Sequence, residues 1–206
     1  MGPGSLEKWF STRIRTGFAT FVELKGSLSD WQKSWVINED MPNIHQALLI
    51  GTPVEKVFQA ITTEEGLSAW WTPGTSAKAQ TGSVARFPFG GSYYKEMRIT
   101  ELIPSELVKW NCIQGDAEWV GTTISFTLLE DDKEELIDAY PEIQGQIGQH
   151  AGNKSTLLIF RHDGWKDYTL MFAECSYTWG RFLRSLKLLC ETGKGRPWPS
   201  QHRTGS

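Results

Sequence analysis

Side chains able to do acid–base, nucleophilic or metal chemistry are few and scattered in this sequence. The four histidines, His45, His150, His162 and His202, are dispersed, and the three cysteines, Cys112, Cys175 and Cys190, show no CxxC spacing. Zinc and transition-metal sites need close ligand pairs, so no metal and no cofactor is expected. An odd, unpaired set of cysteines reads as reduced thiols in a cytoplasmic protein rather than as a disulfide scaffold. His162, within Arg161-His162-Asp163-Gly164-Trp165, has two readings: a hydrogen-bonding or acid–base group at a cavity edge, or a residue that fixes the turn after a strand. No Ser or Cys nucleophile with a suitable base is indicated, so no catalytic residue is assigned. Glu96 and Arg98 share one strand face and form either a polar pair in a cavity or a solvated surface pair. Gly90-Gly91 is a turn rather than a phosphate loop, since no GK[ST] or GxGxxG follows.

The stronger chemical signal is apolar. Ten Trp, ten Phe and five Tyr make 12% of the chain aromatic, more than a domain of about 160 residues needs for a core that aliphatic side chains can also fill. Trp70, Trp71, Phe87, Phe89, Trp110, Trp119, Phe126, Trp165, Phe172 and Trp179 therefore read either as core or, in part, as the wall of a cavity for a nonpolar ligand. With His162 and Cys175 they form the expected ligand-binding set.

The elements that must position these residues follow from periodicity and turn chemistry. Ile44 to Ile50 reads as a strand, and Thr52-Pro53-Val54-Glu55 as a capping box opening a helix with Val54, Val57, Phe58 and Ile61 on one face. Thr62-Thr63-Glu64-Glu65 offers a second box for a short helix carrying Leu67, Trp70 and Trp71, closed by Pro73-Gly74. Strands are expected at Val84 to Phe89, Tyr93 to Leu102, Leu107 to Cys112, Trp119 to Leu129 and Thr156 to His162. In the longest, Val120, Thr122, Ile124, Phe126 and Leu128 alternate with polar residues, as in an antiparallel sheet with one covered face. Glu130 to Lys154 reads as an inserted loop with a frayed helical turn around Glu134 to Tyr140. Leu170 to Glu191 reads as a long helix with Phe172, Cys175, Trp179, Phe182, Leu183, Leu186 and Leu189 as its apolar stripe, and Gly193 as its stop. Glu174, Arg181, Arg184 and Lys187 fall toward solvent. This order is α+β: the last helix buries its stripe only by lying across a sheet that curls around it.

With 206 residues, 39% of them hydrophobic and 22% charged, the chain suits one globular domain with an appendage. A net charge of -3 advertises neither nucleic acid nor an anionic membrane as partner. No apolar run reaches the roughly 18 to 20 residues of a membrane span, and Arg13 and Arg15 interrupt any signal-peptide core. Residues 1–41 are expected to form an extension, with Phe18 to Leu24 as a strand candidate and Ser29 capping a helix that bears Trp31 and Trp35. It either packs on the domain, stays mobile, or docks and regulates. Met1-Gly2-Pro3-Gly4-Ser5 and Thr204-Gly205-Ser206 read like cloning remnants, and 199–206 as a tail.

Several segments in order carry a family resemblance: Thr63-Glu64-Glu65-Gly66-Leu67-Ser68-Ala69-Trp70-Trp71-Thr72, Glu101-Leu102-Ile103-Pro104, Trp119-Val120-Gly121-Thr122 and Arg161-His162-Asp163-Gly164-Trp165. Phe172-Ala173-Glu174-Cys175, Trp179-Gly180-Arg181-Phe182-Leu183 and Glu191-Thr192-Gly193-Lys194-Gly195 complete the set. Over residues 42–198 the chain resembles the START-like, SRPBCC superfamily, and within it the branch similar to the carboxy-terminal domain of the heat-shock-protein ATPase activator. The resemblance implies a helix-grip fold, a curved antiparallel sheet around a long C-terminal helix, with two short helices after the first strand. Members range from lipid and hormone carriers to aromatase/cyclase enzymes, so fold alone does not choose the function. The insertion at Glu130 to Lys154 is longer than the family's usual hairpin, and residues 6–41 match nothing in it. The leading expectation is binding of a hydrophobic or aromatic small molecule without turnover. The alternatives are a protein-interaction module similar to the chaperone ATPase activator, tied to stress response and needing a protein partner, and a cyclase-like enzyme.

Overall fold

The computed structural model describes residues 41–146 and 153–203. The expectations for residues 6–40 and for His150 lie outside the described residues. The elements run β1 (Ile44–Ile50), α1 (Val54–Thr62), α2 (Glu64–Trp70), β2 (Val84–Pro88), β3 (Tyr94–Ile103), β4 (Leu107–Gln114), β5 (Thr123–Asp132), α3 (Lys133–Ala139), a 3-10 helix (Pro141–Gln146), β6 (Lys154–Asp163) and α4 (Leu170–Thr192). The strands form one antiparallel sheet in the order β1-β6-β5-β4-β3-β2. The expected α+β helix-grip architecture is therefore present: an open curved sheet, two short helices after the first strand, and a long C-terminal helix.

Period-two alternation sorts each strand. Ala85 and Phe87 of β2, Met97 and Ile99 of β3, Val108 and Trp110 of β4, Ile124 and Phe126 of β5, and Leu158 and Phe160 of β6 are buried in one cluster with Trp179, Phe182, Leu183 and Leu186 of α4. Glu96 and Arg98 fall on the other face, where Arg98 is exposed and donates to the Gly82 carbonyl over 3.3 Å. They are surface residues, not a cavity pair. Among the described residues no helix is long and apolar enough to cross a membrane.

Three local expectations change. No capping box opens α1: Pro53 holds the cap position, the Thr52 hydroxyl is buried without a partner, and the Val54 amide donates instead to Glu130 Oε2 over 2.7 Å. The neighbouring Gly51 amide donates to Glu191 Oε1 over 2.8 Å, so distant carboxylates neutralise this helix start. At α2 the cap is Thr63 rather than Thr62, its hydroxyl accepting from the Gly66 amide over 3.1 Å. A Cβ on Gly66 would stand 2.6 Å from Ala60 Cα, so only glycine lets α2 leave α1 this closely.

The second change is at Trp119–Thr122, which is a turn and not the start of β5. The Trp119 amide donates to the Asp116 carbonyl over 2.9 Å, Gly121 adopts φ +92°, and Val120 is 45% exposed. Apolar alternation continued past the strand's true start because the turn happens to keep a period of two. The third is the insertion, whose described residues are more than a loop: β5 extends to Asp132, the expected helical turn is the helix α3, and with the 3-10 helix it places Leu136 and Ile143 against Leu49 and Leu157. This small cluster covers the outer face of β1 and β6. Lys187 of α4 is likewise not simply solvated: it donates to the carbonyls of Leu49 and Gln146 and pairs with Glu191 at 3.0 Å.

Candidate functional site

Between α4 and the sheet the packing leaves a cleft of about 230 Å³. Trp71 reaches it from the end of α2, Phe89 from the β2–β3 turn, Trp119 from the turn before β5, and Met171, Cys175, Trp179 and Phe182 from α4. The chain that follows α4 adds Trp198, Gln201 and His202, held there by the Trp198 amide donating to the Trp71 carbonyl over 2.8 Å. Glu174 and Thr178 stand on the rim, the Thr178 hydroxyl donating to the Glu174 carboxylate over 2.8 Å.

Of the expected binding set, Trp71, Phe89, Trp119, Cys175 and Trp179 line the cleft. Trp70, Phe87, Trp110, Phe126, His162, Trp165 and Phe172 do not; they form the packed layer around it. Trp70 bonds the Ala60 carbonyl at 2.9 Å, Trp110 stacks on Trp71 with ring centroids 5.8 Å apart, and Phe87 lies 4.2 Å from Trp71. Phe126 sits edge-on to Trp110 and Phe160, and Phe172 edge-on to Trp165. These contacts give the wall its rigidity.

His162 is fully buried behind that wall and engaged at both nitrogens. The Trp179 indole donates to Nδ1 over 3.0 Å, and Nε2 lies 2.8 Å from the Thr122 hydroxyl. That hydroxyl spends its own proton on the Trp119 carbonyl at 2.6 Å, so Nε2 carries the hydrogen and the ring is the neutral Nε2–H tautomer. Burial, assisted by the charge of Lys95, pushes its pKa down to about 3. Of its two sequence readings the geometry fits the structural one: His162 pins the Trp119–Thr122 turn and orients Trp179.

Lys95 is the residue the sequence reading missed. It is 6% exposed, lies in register with Phe87 on the inner face, and lines the cleft. Its ammonium sits 3.5 Å above the Trp119 ring and donates to the Tyr93 hydroxyl over 3.1 Å. Burial pushes its pKa down to about 8, while the neighbouring Cys175, Cys112 and Asp116 act to raise it. The signal was available: if Glu96 and Arg98 face out, Lys95 shares the inward row with Met97 and Ile99. Cys175 accepts from the Trp119 indole at 3.1 Å, and burial pushes its thiol pKa up to about 11, which leaves it a poor nucleophile. Trp198, Gln201 and His202 also line the cleft from outside the expected set, the last two from the segment expected to be a tail. Among the described residues no group of three or more His, Cys, Asp or Glu side chains could hold a metal ion.

Fold and cleft together define a START-like helix-grip domain. The chain belongs to the family of Activator of Hsp90 ATPase homolog 1-like proteins, whose family model matches residues 51–191. It is similar to the solved "Aha1 dimer from Colwellia psychrerythraea", with 34% identity over 75% of this chain and 100% of that one at a TM-score of 0.58. The same fold occurs in protein SSP2350 from Staphylococcus saprophyticus, with 16% identity over 75% of this chain and 95% of that one at a TM-score of 0.54. It also occurs in protein BH1534 from Bacillus halodurans, with 21% identity over 73% of this chain and 97% of that one at a TM-score of 0.52. Comparison with curated protein sequences returns no match.

Proposed function

We propose that this domain binds a hydrophobic or aromatic small molecule in the cleft between α4 and the sheet and releases it unchanged. One observation carries the reading: rigid aromatic rings from Trp71, Trp119, Trp179 and Trp198 converge on space they do not fill, beside a core that is otherwise packed. At about 230 Å³ the space is below the roughly 300 to 1,000 Å³ of most ligand sites, which favours compact rings or short chains over sterols. The absence of an activated nucleophile at Cys175 and the engaged nitrogens of His162 argue against the cyclase-like alternative.

The test is a native mass spectrum of the purified protein, followed by thermal shift and Trp emission against fatty acids, sterols and flavonoid-like aromatics. A ligand at 100 times its dissociation constant adds about 2.7 kcal/mol to stability, an easily measured rise in Tm. If no compound shifts the melting point at millimolar concentration, the small-molecule reading falls.

A second reading, an interaction module of the chaperone-activator kind, is favoured by the identity to the Colwellia protein and by the exposure of Tyr168 (73%) and Leu170 (90%) at the start of α4. Sedimentation of the chain alone and with an Hsp90-type chaperone, compared with Leu170→Asp, tests it. Identical sedimentation throughout would remove it.

A further inference from the structure

The cleft holds a cation that its own protein leaves incompletely satisfied. A lysine ammonium has three N–H donors, and Lys95 uses one on the Tyr93 hydroxyl and rests on the Trp119 face. Among the described residues no carboxylate lies within ion-pairing distance of it. A nearly buried charge with aromatic rings on its flanks and an unfilled space beside it is costly to keep unless something else completes its shell. Gln201 is an independent sign of a polar ligand in the same cleft, though of a donor and not of the anion itself: it is nine-tenths buried, lines the cleft, and its acceptor Oε1 has no hydrogen-bond partner, which suits a hydroxyl or N–H on the ligand.

We infer that the cleft selects apolar acids, molecules whose ring or short chain lies against Trp71, Trp119 and Trp179 while a carboxylate or equivalent anionic oxygen pairs with the Lys95 ammonium. This rests on the small-molecule reading above and adds the ligand's charge to it. The groups facing Lys95 favour the pairing. Tyr93, Cys112 and Cys175 have pKa values raised by burial and are neutral at pH 7, and His162 is neutral because its own is lowered. Asp116 is near enough to favour the charged lysine without pairing with it. Glu174, the carboxylate on the rim, is exposed and bonded to Thr178, so water screens its repulsion of an incoming anion. With its pKa near 8 Lys95 is still mostly protonated at pH 7.

The experiment compares 2-naphthoate with its uncharged methyl ester by calorimetry and Trp emission at pH 7. The acid is expected to bind at least about tenfold more tightly, the scale of a charge-assisted hydrogen bond in a desolvated site. Lys95→Met, which keeps the apolar stem, should abolish that preference, so that acid and ester bind with the same affinity or the ester more tightly. If that variant does not fold, wild-type protein supplies the same readout: the preference should vanish as pH rises from 7 to 10 while ester affinity holds. Equal affinity of wild type for acid and ester overturns the inference and leaves the apolar site standing. A preference retained in Lys95→Met, or unchanged at pH 10, also overturns it. Binding of neither probe at millimolar concentration overturns both the inference and the reading beneath it.

Discussion

The indole of Trp179 donates a 3.0 Å hydrogen bond to Nδ1 of His162, and this bond joins one lining residue of the cleft to the turn that carries another, Trp119. Trp179 lies on α4, whereas His162 is the penultimate residue of β6 and, through Thr122, grips the turn that projects Trp119. The two indoles lie 6.0 Å apart, and the histidine behind them decides how each is presented. A neutral ring is required, since protonation at Nδ1 would turn an acceptor into a donor facing a donor.

The pH dependence of stability follows. His162 titrates near 6.5 when unfolded and about 3 when folded, so between those values the unfolded state binds the extra proton. Its contribution is complete above pH 6.5 and is lost as pH falls toward 3, with a limiting slope of about 1.4 kcal/mol per pH unit. Denaturation of wild type and His162→Phe across this range checks it: the difference between them should shrink as the solution is acidified. A pH-independent difference would contradict the neutral tautomer.

Leu183 is fully buried on the inward stripe of α4. Leu183→Ala should lower stability by about 2 to 5 kcal/mol in urea or guanidinium denaturation, the sum of lost transfer energy and an unfilled cavity.

How much of this was legible beforehand differs by residue. The stripe of α4 was readable because Cys175, Trp179, Phe182, Leu183 and Leu186 repeat at helical spacing on a face that has one place to go. The cleft's outline was less so. Aromatic type told that Trp70, Trp71 and Trp110 would be buried but not which would border empty space, since that depends on how three elements stack. Trp119 reads as strand because turn and strand can share a period of two, and the signal that separates them is Gly121, whose positive φ makes the turn. Lys95 is not legible as an inner-face residue by type, because charge argues for solvent; only its place in the alternation of β3 gives it away.

All three cysteines are free and buried. Burial raises each thiol pKa, Cys175 to about 11 and Cys190 to about 12, so few are thiolate at neutral pH. Ellman titration without reductant should find three thiols in denaturant and almost none promptly in native protein. Fast labelling at Cys175 would mean that the cleft opens further than its packing suggests.

Lys95 sets an alkaline signature. Its pKa is about 8 folded and 10.5 unfolded, so across that window the unfolded state holds the extra proton and stability rises with pH. Below pH 8 the full cost of the buried charge is present; above 10.5 it is gone. Lys95→Met should be at least as stable as wild type at pH 7 by chemical denaturation, and should lack the alkaline rise. A destabilised but folded variant would mean that the ammonium supports the fold more than it burdens it.

The start of α1 has a consequence for how the domain opens. Its first amide is satisfied by Glu130, 76 residues away, and the Gly51 amide just before it by Glu191, 140 residues away. A nine-residue helix has little reason to persist alone, and here its first amide and the chain that leads into it are held by side chains from β5 and α4. The Val54 amide should therefore be protected from deuterium exchange, and Glu130→Ala should speed its exchange while leaving the later amides of α1 unchanged. The entrance to the first helix thus depends on one side chain from the middle of the domain and one from its last helix.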